Sequence, residues 1–113
     1  MTDYNRGEVV LVGFVFTEET AVSQRPAVII SSDAYHQGRR EAIIVAITSN
    51  VDRLLVGDHL IGDWQGAGLL YPSVATGIIR TIKRDMIARK LGAMPLANMV
   101  AVDNRLRISL GLT

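Results

Sequence analysis

Polar side chains capable of phosphate chemistry stand where apolar runs of the sequence begin or end. Arg25 precedes the second apolar run, Thr48 and Ser49 close the third, and Arg80 lies in the fifth. A guanidinium binds phosphate through paired donors, and a hydroxyl both donates and accepts hydrogen bonds. Taken singly, an arginine is also typical of a solvated surface, and a threonine of an ordinary strand end. Both interpretations therefore stay open for each residue considered alone.

The dipeptide Arg25–Pro26 sets a permanent charge beside a residue that has no backbone N–H. Proline is tolerated at the first residue of a strand, so we predict that Pro26 opens the second strand. Arg25 is then either a solvated loop residue or a side chain held at a stiff strand opening to meet an anion.

Composition excludes several classes of site. The chain of 113 residues contains no cysteine, so disulfides and thiolate metal sites are excluded, and its two histidines need carboxylate help to bind zinc. The net charge of +1 argues against a broad nucleic-acid coat, but it allows a local basic groove. No nucleotide-binding loop is present. With neither a signal-peptide pattern nor a long apolar run, we expect a soluble, cytoplasmic protein without a membrane segment, cofactor or metal.

Short apolar runs rich in β-branched residues predict strands, which we assign to residues 8–16, 25–32, 41–49 and 76–82. A weaker strand is predicted within residues 53–61, and residues 83–94 fit either a short helix or a strand. The strong runs are apolar throughout, which indicates a sheet that is covered on both faces or curled into a barrel. Trp64 is either a core residue or a base-stacking one.

The C-terminal segment predicts one helix. Pro95 suits its first turn and Gly111 its end. Helical spacing predicts an apolar stripe that consists of Leu96, Met99, Val100, Leu106 and Leu110. Asp103 and Arg107 are spaced to pair one turn apart. The prediction is one domain, residues 1–113, that is mainly β: a small barrel closed by a C-terminal α-helix.

Five motifs in a fixed order now bear on function. They read "RGEVVLVGF", "QRPAVIISSDAY", "AITS", "GLLYPSVATGIIRTI" and "KLGAM". In this order they resemble the MazF/PemK (Kid) family of toxins from type II toxin–antitoxin systems, in its PemK-like subgroup, over almost the whole chain. The resemblance implies an SH3-like barrel with a C-terminal helix, a homodimer and a cognate antitoxin protein as partner.

The resemblance also implies an activity, which is sequence-selective, metal-independent cleavage of single-stranded RNA. In that reaction the 2′-hydroxyl attacks the adjacent phosphate and leaves a cyclic phosphate and a 5′-hydroxyl. By resemblance Arg25 and Thr48 are the catalytic residues. The expected RNA-contacting residues are Glu19, Gln24, Ser49 and Arg80.

One departure from the family pattern leaves the residues that transfer protons unassigned. The Kid branch has an arginine and an aspartate shortly before the "RTI" motif, where this chain has Ala75 and Gly77. The replacement groups are either Glu18 or Glu19, or else Asp33 or His36. Alternatively, the barrel binds nucleic acid or an antitoxin peptide without cutting. A third hypothesis, a protein-interaction module without nucleic acid, is disfavoured because only 5% of the residues are aromatic.

Overall fold

Valine- and isoleucine-rich segments form one antiparallel sheet in the computed structural model, which describes residues 4–15 and 22–112. The elements of this part of the chain are β1 (Glu8–Val15), β2 (Val22–Ile29), α1 (Asp33–His36), β3 (Glu41–Thr48), β4 (His59–Leu60), β5 (Val74–Lys83), β6 (Ile87–Ala93) and α2 (Leu96–Leu110). Along the sheet the strand order is β4-β5-β3-β2-β1-β6.

The sheet is strongly curled. β5 and β6 are joined by only a 3-10 turn, Arg84–Met86, yet they lie near opposite ends of the strand order. The sheet has to bend round on itself for so short a connection to be made. Ile82 at the end of β5 and Ile87 at the start of β6 share one buried cluster with Val10, Val12, Ala27, Ile29 and Ile44. The predicted mainly β barrel is confirmed, and this cluster is its interior.

A second core covers the outer face of the same strands. Val9 and Val28 point to the opposite side from Val10 and Ala27, because successive side chains of a strand alternate. On this outer face they pack with Met99 of α2 and with the segment 61–69. The sheet is thus covered on both faces, as its uniformly apolar strands predict. Trp64 packs partly buried against this core, which confirms the core interpretation.

The predicted start of the second strand is wrong. β2 begins at Val22, so Arg25 and Pro26 lie inside the strand rather than at its opening. β2 pairs with β1 along its whole length, but its pairing with β3 covers only Ala27–Ile29. Pro26 is tolerated because β2 is not paired with β3 at this point. On this unpaired edge, the missing N–H removes no hydrogen bond between strands.

The remaining strand boundaries differ from the sequence prediction mainly at their ends. β2 ends at Ile29 because Ser32 already caps the one-turn helix α1 by accepting a hydrogen bond from the Tyr35 N–H at 3.1 Å. The weak strand within residues 53–61 shrinks to β4, and the ambiguous residues 83–94 form the 3-10 turn and β6. Phe16, the predicted end of the first strand, lies outside the described residues.

Helix α2 begins after Pro95 and ends at Gly111, as predicted. Its buried face differs from the predicted stripe. Leu96, Val100 and Leu110 are exposed, whereas Asn98, Met99 and Val102 are buried and Leu106 is partly buried. Within the predicted stripe only Met99 and Leu106 were placed correctly.

A polar anchor explains the orientation of α2. The Asn98 side chain accepts a hydrogen bond from the Gly62 N–H at 2.9 Å, donates to the Gly62 carbonyl and lies 2.8 Å from His59 Nε2. Burial of this amide is favourable only with these partners, so it fixes which side of the helix faces the sheet. The predicted pair of Asp103 with Arg107 is wrong, because Asp103 is bound by Arg6.

Candidate active site

A pocket of about 810 Å³ opens beside β2, β3 and β6. Its lining residues are Leu11, Gln24, Arg25, Pro26, Ile47, Thr48, Ser49, Gly68, Leu69, Leu70, Tyr71, Ser73, Arg89 and Leu91. Four residues singled out by sequence, Gln24, Arg25, Thr48 and Ser49, therefore share one cavity.

The strand register explains why Arg25 and Thr48 meet. β2 and β3 are antiparallel, with Ala27 paired to Ala46 at the end of their ladder. Continuing this register by two residues along each strand sets Arg25 opposite Thr48. The paired ladder stops before this point, at Ala27 and Ala46, and both side chains line the pocket.

Hydrogen bonding leaves both groups available. Thr48 is half-buried, and its Oγ1 accepts a hydrogen bond from the Asn50 N–H at 3.1 Å. The Thr48 hydroxyl hydrogen is therefore free to be donated into the pocket. Arg25 is exposed, and within residues 4–15 and 22–112 its guanidinium has no hydrogen-bond or ion-pair partner.

Arg89 is a pocket residue that the sequence analysis missed. It lies exposed on β6, next to the apolar pocket residues Leu11 and Leu91. The sequence left this segment undecided between helix and strand, so the direction of its side chains could not be inferred. No acidic residue lines the cavity in the described part of the chain. The two guanidiniums therefore give its described lining a positive charge, which favours an anion.

The other candidate residues lie elsewhere. Asp33 and His36 line a separate pocket of about 470 Å³, and His36 is buried with its Nε2 2.6 Å from Ser31 Oγ. Arg80 lies exposed on β5, paired with Ile44, and does not line the larger pocket. Glu18 and Glu19 fall outside the described residues.

The donor set of the described residues is poor in metal ligands. No three histidine or carboxylate side chains come together in residues 4–15 and 22–112 in a way that could hold a metal ion. In the same ranges no helix is both long enough and apolar enough to span a membrane.

A curled six-stranded sheet closed by a C-terminal helix defines a small β-barrel protein. Its pocket brings arginines and hydroxyls together, with no carboxylate among the described lining residues. Residues 5–110 match the model of one family, described as PemK-like, MazF-like toxin of type II toxin–antitoxin system. The chain belongs to this family. The family match confirms the sequence-based identification of an endoribonuclease toxin of a type II toxin–antitoxin system.

Known relatives agree with this assignment. The chain is similar to the Endoribonuclease MazF of Staphylococcus epidermidis, with 33% identity over 89 residues, 78% of this chain and 74% of the relative. A chain of the MazE–MazF crystal structure (form II) from Deinococcus radiodurans has the same fold, with a TM-score of 0.80, 20% identity and coverage of 98% of this chain and 100% of that one. So has a mycobacterial endoribonuclease in complex with its cognate antitoxin, with a TM-score of 0.78, 22% identity and 98% coverage of both chains.

Proposed function

We propose that the 810 Å³ pocket is the active site of an endoribonuclease that cleaves single-stranded RNA without a metal ion. The observation that carries the proposal is the meeting of Arg25 with Thr48 in a pocket whose described lining has no acidic residue. Attack by a 2′-oxygen on the neighbouring phosphate builds negative charge on the phosphate oxygens. A cationic pocket stabilises that charge most strongly where it is greatest, in the transition state.

Arg25 and Thr48 have different roles in this proposal. The Arg25 guanidinium is free of partners in the described residues, so both of its parallel donors can bind the scissile phosphate. Thr48 accepts the Asn50 N–H and keeps its own hydroxyl hydrogen, which we propose it donates to a phosphate oxygen. Gln24 and Ser49 lie beside them and are proposed to bind the flanking RNA.

The proton-transfer groups are proposed to come from the segment between β1 and β2. Asp33 and His36 line the other pocket, so two of the alternatives lie apart from Arg25. Glu18 and Glu19 remain as the acidic candidates, and Glu19 is also expected to contact RNA. Glu18→Gln and Glu19→Gln separate the two. The residue that transfers a proton should, when replaced, lower kcat and abolish one limb of the pH–rate profile.

The experiment is cleavage of a single-stranded RNA transcript by purified protein. Arg25→Ala should lower kcat/KM by more than tenfold, because it removes a charge-assisted contact that strengthens in the transition state. Thr48→Ala should have a smaller effect. The matched control is Arg53→Ala, which removes an exposed arginine that does not line the pocket. Cleavage should persist in EDTA.

Three outcomes would overturn the proposed ribonuclease. If wild-type cleavage stops in EDTA, or if Arg25→Ala cuts at the wild-type rate, the proposed mechanism is wrong. If the wild-type protein binds RNA but cuts none, the alternative of a non-catalytic barrel that binds nucleic acid or an antitoxin peptide is correct.

A homodimer is proposed because the resemblance implies one and an apolar surface is available for it. Leu55, Val56 and Ile78 are 57%, 79% and 59% exposed. They lie together because the Asp58 carboxylate accepts hydrogen bonds from the N–H groups of Leu55 and Gly77. A second copy of the chain would cover this surface. Light scattering should report twice the chain mass for the wild type, and the single-chain mass for Leu55→Asp.

A cognate antitoxin is the second proposed partner. An acidic, disordered segment would be attracted to the pocket that holds Arg25 and Arg89 for the same electrostatic reason as RNA. We therefore place the antitoxin over the pocket, where it excludes the substrate. Because the proposed substrate is RNA, a cytoplasmic location is proposed as well.

A further inference from the structure

The pocket has a second wall, which the proposed cleavage step does not use. This wall, here called the Arg89 wall, consists of Leu70, Tyr71, Arg89 and Leu91. It is made by β6 and by the loop that precedes β5. Arg25 and Thr48 belong to β2 and β3 instead.

The strand register sets Arg89 two strands away from Pro26, the neighbour of Arg25. Leu11 of β1 pairs with Pro26 on one side and with Arg89 on the other. Neighbouring strands are about 4.8 Å apart, so the backbones at Pro26 and Arg89 are separated by about 10 Å across β1. Two guanidiniums carried by these strands can thus contact different phosphates of one RNA strand.

Among the described residues, Arg89 differs from Lys90 and Arg6 in having no partner. Lys90 pairs with Glu8 at 2.6 Å, and Arg6 is bound to Asp103. Arg89 has no hydrogen bond or ion pair to any residue of the ranges 4–15 and 22–112, although it is exposed on the pocket. Its positive charge is therefore not neutralised and remains available to a ligand.

Tyr71 adds an aromatic surface beside this charge. Its side chain is 65% exposed, and that of Leu70 is 82% exposed. The loop is nevertheless held closely, because Gly68 packs backbone to backbone against Leu91, and Ser73 Oγ donates a hydrogen bond to the Tyr71 carbonyl at 2.8 Å. Tyr71 and Arg89 line the same pocket, and an exposed ring in a positively charged groove is how proteins stack the unpaired bases of single-stranded RNA.

We propose that the Arg89 wall is a subsite for the nucleotide next to the scissile phosphate: Arg89 binds the neighbouring phosphate and Tyr71 stacks on the base. The inference rests on the proposed ribonuclease function and extends it to a second substrate position. The contacts of the subsite are made equally in the ground state and the transition state. Its loss should therefore raise KM and leave kcat unchanged.

The first test compares Arg89→Ala and Tyr71→Ala with Arg105→Ala, which removes an exposed arginine of α2 that does not line the pocket. The probe is a labelled 2′-O-methyl oligoribonucleotide, which cannot be cleaved because its 2′-oxygens are blocked. Each pocket variant should weaken binding by about tenfold, while Arg105→Ala has no effect. A plot of log affinity against log salt concentration falls with a slope of about −0.7 for each phosphate bound on a single strand. Arg89→Ala should therefore make this slope shallower by about 0.7, whereas Tyr71→Ala should leave it unchanged.

The second test uses cleavable RNA shortened to end at the scissile dinucleotide on one side or the other. With one of the two shortened substrates, Arg89→Ala should have the same KM as the wild type, because the phosphate it binds is missing. An effect that persists on both shortened substrates would overturn the subsite. So would a fall in kcat at unchanged KM, since Arg89 would then act on the scissile phosphate itself.

The outcomes separate this inference from the proposed function. If Arg25→Ala abolishes cleavage while Arg89→Ala and Tyr71→Ala match Arg105→Ala in KM, the ribonuclease stands and the subsite is wrong. If the wild type neither binds nor cuts RNA, both fail together. If Tyr71→Ala changes the mass in light scattering but not the RNA affinity, the wall is a protein interface and the subsite is again wrong.

Discussion

Replacing Gly68 by alanine should test whether the pocket wall depends on close backbone contact. Gly68 has φ +86°, and a Cβ built there would collide with the carbonyl oxygen of Leu91. Two costs follow. The left-handed conformation costs an alanine about 1–2 kcal/mol, and overpacking against a backbone that cannot give way costs about 1–3 kcal/mol. The expected loss for Gly68→Ala is their sum, about 2–5 kcal/mol.

The chain contains a matched control for each cost. Gly38 has φ +71° with nothing within 4 Å of its added Cβ, so Gly38→Ala should lose only the conformational part, about 1–2 kcal/mol. Gly92 has no left-handed φ, but its Cβ would collide with the Ala67 carbonyl, so Gly92→Ala should lose only the steric part, about 1–3 kcal/mol. The difference between Gly68→Ala and Gly38→Ala should therefore resemble the loss in Gly92→Ala.

Urea unfolding followed by fluorescence measures all three values. Trp64 is the only tryptophan, and it is partly buried against the outer core, so its emission reports unfolding without a label. Under conditions where every variant is folded, RNA affinity should fall for Gly68→Ala and Gly92→Ala and stay unchanged for Gly38→Ala. The reasoning is refuted if Gly68→Ala is no less stable than Gly38→Ala, because the collision would then be relieved at no cost.

Three further predictions concern the polar anchor, an ion pair and the antitoxin. Asn98→Ala should lower the free energy of unfolding by about 1–3 kcal/mol in urea, since two hydrogen bonds between the buried Asn98 amide and the Gly62 backbone are lost; a loss below about 0.5 kcal/mol would mean that water replaces the amide. Partial burial alone would raise the pKa of Glu8, but hydrogen bonds from Lys90 and the Asn5 N–H outweigh it and hold that pKa below its usual value. The ionised Glu8 therefore stabilises the fold at pH values above the usual glutamate range. This stabilisation is lost as the pH falls through the lowered pKa. Lys90→Ala should cost less than about 1 kcal/mol at neutral pH and nothing in acid, and a deficit that persists in acid would contradict the pair. The C-terminal peptide of the antitoxin should displace labelled uncleavable RNA, with both affinities falling as salt rises; simultaneous binding of both at full affinity would show that inhibition acts elsewhere.

The outline of the fold could be read from the sequence because burial on both faces of a curled sheet leaves a direct pattern. The uniformly apolar runs predict strands covered on both sides, and the two cores on opposite faces of β1 and β2 are the physical reason for that pattern. Pro95 and Gly111 mark the ends of α2, because helix ends depend on local backbone chemistry. The ordered motifs also identified the family.

The sequence by itself indicated Arg25 and Thr48 as candidate catalytic residues, but it did not show that they line the same pocket. Their meeting depends on the register of β2 with β3, and that register is set by pairs of residues far apart in the chain. The same holds for the buried face of α2, which follows from the hydrogen bonds of Asn98 with Gly62 rather than from the spacing of its leucines. Only the tertiary structure shows that Arg89 lines the pocket. In a short segment that fits either a helix or a strand, the direction of each side chain is decided by the strand with which the segment pairs, which here is β1.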